Sequence, residues 1–114
     1  MADKESIIIT KIIVHIGKIS GYVGGLGQKE FESDSKLVEA CVFNLLQIGE
    51  LAWRLSDEFR NSHPEIPWAK IRGLRHKIVH DYEGVKLEII WDIVKNDLEP
   101  LRRQLASLIY RPGH

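Results

Sequence analysis

Apolar residues recur at intervals of three and four along three long stretches of this chain, and that periodicity most restricts what it can fold into. In a first segment, from about Ser6 to Val23, Ile9, Ile12, Ile13, Ile16, Ile19 and Val23 follow this spacing, which lines one face of an α-helix. A second segment begins at Asp34 or Ser35, either of which can cap it. It continues through Val38, Cys41, Val42, Leu45, Ile48, Gly49, Ala52, Leu55 and Phe59. A last segment, from about Leu87 to Tyr110, carries Leu87, Ile90 or Trp91, Val94, Leu98, Leu101, Leu105 and Leu108. No run alternates with period two between hairpin turns, so the chain is predicted to be all-α, with four main helices.

The punctuation between these stretches agrees. Gly21-Tyr22-Val23-Gly24-Gly25-Leu26-Gly27 is rich enough in glycine to stop the first helix. It lacks the preceding strand and the Gly-Lys-Ser/Thr ending of a phosphate-binding loop. His63-Pro64-Glu65-Ile66-Pro67-Trp68 reads as a connection, and Pro67 suits the first turn of the third helix because its missing donor is not needed there. Pro100 removes a hydrogen bond from the last helix, so a kink or short break is expected between Asn96 and Pro100. Arg102, Arg103 and Arg111 are expected near the negative end of that helix.

A chain of 114 residues with 44% hydrophobic content makes one domain, spanning 1–114, and buries a core without metal or disulfide support. The single cysteine, Cys41, lies in an apolar stripe, fits a reducing compartment and is assigned to packing. The first residues lack a basic segment leading into a cleavable apolar region, and Lys11, His15 and Lys18 break the longest apolar run. Neither a secretion signal nor a membrane span is expected, and the cytoplasm is the default location.

Chemistry concentrates in Arg75-His76-Lys77-Ile78-Val79-His80-Asp81-Tyr82. Arginine supplies a permanent cation with a planar fork of donors suited to phosphate, and histidine exchanges protons near neutrality. With 16 basic and 16 acidic residues the molecule is formally neutral, which excludes a general nucleic-acid coating protein. From Lys70 to His80, however, Lys70, Arg72, Arg75 and Lys77 face no acid in the sequence, a local phosphate-attracting patch. On a continuous helix, positions 75 and 80 would sit roughly 140° apart and would not face one target. Either the helix ends near Val79, which Asp81 and Gly84 favour, or the pair serves a cleft built partly by a second chain. His76 and His80 share a helix face, but Lys77 stands where a zinc-protease motif needs glutamate, so no metal or other cofactor is expected.

Ile48-Gly49-Glu50, then His63-Pro64-Glu65-Ile66-Pro67-Trp68, then Arg75-x4-His80-x-Tyr82, in this order and at these distances, resemble a HEPN domain. More narrowly they resemble the HepT-like ribonuclease toxins encoded beside a minimal nucleotidyltransferase antitoxin, and the likeness spans almost the whole chain. The resemblance implies an antiparallel up-and-down helical bundle that forms a homodimer or larger assembly, aligns the motifs of two chains in one cleft and cleaves RNA without a metal. It makes Arg75 and His80 the catalytic pair and Tyr82 the residue to which the partner attaches AMP. Arg72, His76 and Lys77 are the candidate RNA contacts beside them. His76 departs from the usual asparagine after the arginine, although it too can donate hydrogen bonds.

The competing reading is a non-catalytic helical module that binds and scaffolds a nucleotidyltransferase or a nucleotide. Trp53, Trp68 and Trp91 are expected in the core or at a dimer contact rather than as partners for bases. A serine or cysteine hydrolase is disfavoured, since no nucleophile elbow appears.

Overall fold

In the computed structural model the four segments expected to be helical are so, and their ends follow from local chemistry. The structure describes residues 3–81 and 87–109, the side chains at 75–77 and 79–81 excepted. Helix α1, Lys4–Val23, starts at Asp3, whose carboxylate accepts the Ser6 amide at 2.7 Å. It runs through Gly21, so the glycine-rich connection shrinks to 24–27, where Gly25 takes φ +79°. A short helix that periodicity did not reveal, α2 (Gln28–Glu32), follows and buries Phe31 against Trp91, with ring centroids 5.2 Å apart. Five residues are too few to show a helical period.

Helix α3, Ser35–Trp53, is capped by Asp34, which accepts the Leu37 amide at 3.1 Å. It ends earlier than the apolar pattern suggested. Ser56 accepts the Phe59 amide and starts a separate helix, α4 (Asp57–Ser62), so Leu55 falls in the turn and Phe59 on the new helix. Arg60 of α4 makes this turn possible. Only 8% exposed, it donates to the carbonyls of Leu55 and, at 3.5 Å, Ala52, and it pairs with Asp57. A guanidinium thus satisfies acceptors that another turn of α3 would have used.

Helix α5, Trp68–Asp81, carries the Arg75 to His80 motif. The last stretch comprises α6 (Leu87–Asp92), a π-helical turn (Ile93–Asp97) and α7 (Leu98–Ile109). The irregularity expected near Pro100 is this π turn, with Asp92 and Leu98 at its two ends both helical in backbone angle. Pro100 has no N–H for the Asn96 carbonyl, and a wider turn immediately before it relieves the mismatch. Arg102 and Arg103 lie in the first half of α7 rather than at its end. Both pair with Glu99, Arg102 at 2.5 and 2.9 Å, and these contacts hold the Glu99 carboxyl below its usual range.

The result is an all-α bundle, with no strand among the described residues. Helix α3 packs against both α1 and α5, and α1 also packs against α7. Ile9, Ile12, Ile16 and Ile19 of α1, Leu45 and Ile48 of α3 and Leu105 of α7 are fully buried, and Cys41 lies among them. Burial pushes the Cys41 thiol up to about 11. By length and composition α1 is apolar enough to cross a membrane, contrary to the expectation from its charges, but Ile8, Ile9, Ile12, Ile16, Ile19 and Val23 are buried in this bundle. Trp68 is buried and Trp91 half-buried, whereas Trp53 is 53% exposed and so is not a core residue of this chain.

Candidate active site

Helix α5 is fixed at its start and along its inward face. The Trp68 indole donates to the His63 carbonyl at 2.9 Å, and its ring lies edge-on to Phe59 at 6.2 Å. The His63 to Trp68 connection is therefore a folded unit that sets where α5 begins, and Gln104 of α7 adds a contact to the Glu65 carbonyl at 3.3 Å. Lys70 reaches Asp97 of the π turn at 3.3 Å. Ile71, Leu74 and Ile78 are buried and define the face turned to the core.

The helix does not end near Val79. It continues to Asp81, so the ending favoured from Asp81 and Gly84 does not occur before His80. Arg75 and His80 therefore occupy positions roughly 140° apart around one unbroken axis. On the helical wheel, position 75 borders the buried face of Ile71, Leu74 and Ile78, while positions 76 and 80 lie opposite it. The side chains of Arg75, His76, Lys77 and His80 lie outside the described set, and Tyr82 lies outside the described residues altogether. Among the described residues no three His, Cys, Asp or Glu side chains converge as metal ligands.

Arg72 is the one described member of the predicted RNA-contacting group. Its guanidinium lies over the Trp53 ring, 3.4 Å from the centroid, joining α5 to the last residue of α3. Arg72 Nε is buried without a hydrogen-bond partner among the described residues. Sequence reasoning did not pair these residues, because Trp53 lies beside Ala52 but off the stripe that turns to the core.

A cleft of about 210 Å³ opens on the other flank of α5, between Lys70, Ile71 and Leu74 and the residues Ile93, Leu98 and Leu101. Its walls are mainly apolar, and it lies away from the Arg72 edge of the helix.

Comparison with known proteins supplies the lineage of this arrangement. Residues 12–108 match the family model described as "Ribonuclease HepT-like". The chain is 35% identical over 89 residues to "Putative RNase TTE0752" of Caldanaerobacter subterraneus subsp. tengcongensis, covering 78% of this chain and 80% of that protein. It is 33% identical over 98 residues to "Putative RNase MJ0127" of Methanocaldococcus jannaschii, covering 86% and 81% respectively. With "Probable ribonuclease HepT" of Thermococcus cleftensis it shares 34% identity over 80 residues, 70% of this chain and 73% of the other. No solved structure matches it at a significant level. The matched region takes in α3, the His63 to Trp68 connection and all of α5, and the chain belongs to the HepT-like ribonuclease family.

Proposed function

We propose that this chain is a metal-independent RNA endonuclease, the toxin of a toxin-antitoxin pair, acting as a homodimer whose cleft combines Arg75 and His80 motifs from two copies. The observation that carries the reading is the continuity of α5 through Asp81. Groups set roughly 140° apart on one rigid helix address different directions, and a second copy brings a complementary motif to the same target. Family membership supplies the substrate class, and the local excess of basic residues from Lys70 to His80 supplies the attraction for phosphate.

In this mechanism the ribose 2′-oxygen attacks the adjacent phosphorus while the 5′-oxygen of the next nucleotide leaves. His80 takes the proton from the 2′-hydroxyl or delivers one to the leaving oxygen, and water carries the other proton, so that one is removed and one is added. Arg75 stabilises charge on the five-coordinate phosphorus, and Arg72, His76 and Lys77 hold flanking phosphates. The first product carries a 2′,3′-cyclic phosphate. Silencing occurs when a minimal nucleotidyltransferase partner transfers AMP from ATP to the Tyr82 oxygen and releases pyrophosphate, which puts a bulky anion beside the cleft. The site of action is the cytoplasm.

The test is incubation of the purified protein with total cellular RNA in EDTA, beside the His80→Ala variant. Cleavage with cyclic phosphate ends that vanishes in the variant is the expected result. Absence of cleavage by protein whose Tyr82 is unmodified by mass overturns it in favour of a non-catalytic module that scaffolds a nucleotidyltransferase.

A further inference from the structure

We infer that Trp53 and Arg72 form a subsite for one unpaired RNA base and its phosphate, next to the bond that the Arg75 and His80 motifs cut. The inference rests on the ribonuclease reading above and adds Trp53, which that reading leaves without a role.

Trp53 differs from the other tryptophans in what it touches. Trp68 is buried, with its indole N–H bonded to a carbonyl, and Trp91, with Lys95 over its ring at 5.0 Å, is half-buried against Phe31. Trp53 has no aromatic neighbour among the described residues and stays 53% exposed with the Arg72 guanidinium over its ring. Exposing an indole forgoes the largest apolar burial any side chain offers, and aromatic rings left open beside cations are what single-stranded nucleic acids stack on.

Arg72 differs from the other arginines engaged in contacts. Arg60, Arg102 and Arg103 each hold a carboxylate. No acidic side chain among the described residues pairs with Arg72, and its buried Nε has no acceptor. Stacking on the indole fixes the plane of the guanidinium, so donors at its edge are oriented before a phosphate arrives.

Position completes the argument. Arg72 precedes Arg75 by three residues on α5, about 4.5 Å along the axis and about 60° around it. A strand held by Arg75 thus passes Arg72 and Trp53 within a nucleotide of the cut. Because every base has a π-face, the subsite demands an unpaired base without specifying which one.

The experiment measures binding of a short fluorescent single-stranded RNA to the full chain carrying His80→Ala, so that nothing is cut, with and without Trp53→Ala, Trp53→Phe or Arg72→Met. Trp53→Ala should raise Kd about tenfold or more, Trp53→Phe should recover part of it, and Arg72→Met should weaken binding and flatten its salt dependence. An RNA with an abasic ribose beside the cut should bind both Trp53 forms equally. Unchanged Kd in Trp53→Ala overturns the inference. A change of oligomeric mass in place of RNA affinity also overturns it, and assigns Trp53 to a protein contact. Cleavage of the same RNA by the wild-type chain is followed in parallel: if it binds without cutting, the ribonuclease reading fails while the subsite is judged on Kd alone.

Discussion

His15 on α1 and Asn44 on α3 are joined by a hydrogen bond of 2.7 Å between Nδ1 and Oδ1, and Asn44 donates its amide to the Ala40 carbonyl at 2.8 Å. With Nδ2 committed as donor, Oδ1 must accept, so His15 carries its proton on Nδ1. Asn44 is 3% exposed, and the pair ties together two helices whose other buried side chains, among the described residues, are apolar. Asn44→Ala removes both bonds and leaves a void, and should cost about 1–3 kcal/mol, measured as a lower urea midpoint. A midpoint unchanged from wild type would mean that water replaces the amide without loss.

Arg60 should matter as much. Arg60→Met keeps the buried stem but strips the donors from the Leu55 and Ala52 carbonyls. A loss of about 1–3 kcal/mol is expected, with increased amide exchange confined to the α3 to α4 turn. Arg60→Lys should recover part of it, since one ammonium cannot reach all three acceptors.

The pH dependence of stability has an alkaline and an acid limb. Burial raises the Cys41 thiol from 9.0 to about 11, so the folded chain keeps a proton that the unfolded chain releases. Its contribution is complete below pH 9 and is lost as pH climbs through about 11. On the acid side Glu99 is lowered by its bond to Arg102, and Asp3 by its bond to the Ser6 amide. Their contributions are present above the ordinary values of 4.5 and 3.8 and are lost as pH falls through the depressed ones. Cys41→Ser should flatten the alkaline limb of a midpoint against pH curve, and the native thiol should resist alkylation until the chain unfolds.

Mixing two variants tests the proposed dimer and how its cleft is composed. Arg75→Ala and His80→Ala chains, each expected to be inactive alone, are refolded together and assayed on RNA. If each cut needs one intact Arg75 and one intact His80 drawn from different copies, activity reappears in the mixture. Continued silence would mean that both copies must contribute complete motifs.

Tyr82→Phe should preserve cleavage and abolish silencing, because the phenol oxygen that would carry AMP is gone. Mass spectrometry should find one added AMP on the wild-type chain after incubation with the nucleotidyltransferase and ATP, and none on the variant. Addition of AMP to the variant would place the modification elsewhere.

Much of this was legible in the residues. The spacing of Ile9, Ile12, Ile16 and Ile19 and of Val38, Cys41, Leu45 and Ile48 is a direct imprint of one buried face per helix, so the helices and their core sides follow from periodicity alone. Pro100 announced an irregularity before it, and Asp34 announced a cap. The family was legible too, because the blocks around Gly49, Pro64 and Arg75 keep their order and distance.

Boundaries and pairings were decided by tertiary contacts. The apolar stripe of α3 runs on through Leu55 and Phe59, yet the helix stops at Trp53, because Ser56 offers a new cap and Arg60 folds back onto the carbonyls of Ala52 and Leu55. Asp81 weakens a helix interior, yet α5 continues to it, since the burial of Ile71, Leu74 and Ile78 outweighs a local preference worth well under 1 kcal/mol. Trp53 and Arg72 are 19 positions apart, and only the packing of α3 on α5 brings the guanidinium onto the ring. A sequence records which faces must be buried, because burial repeats with the helical period. It does not record which exposed side chains of different helices will meet, because that depends on packing geometry set by the whole core.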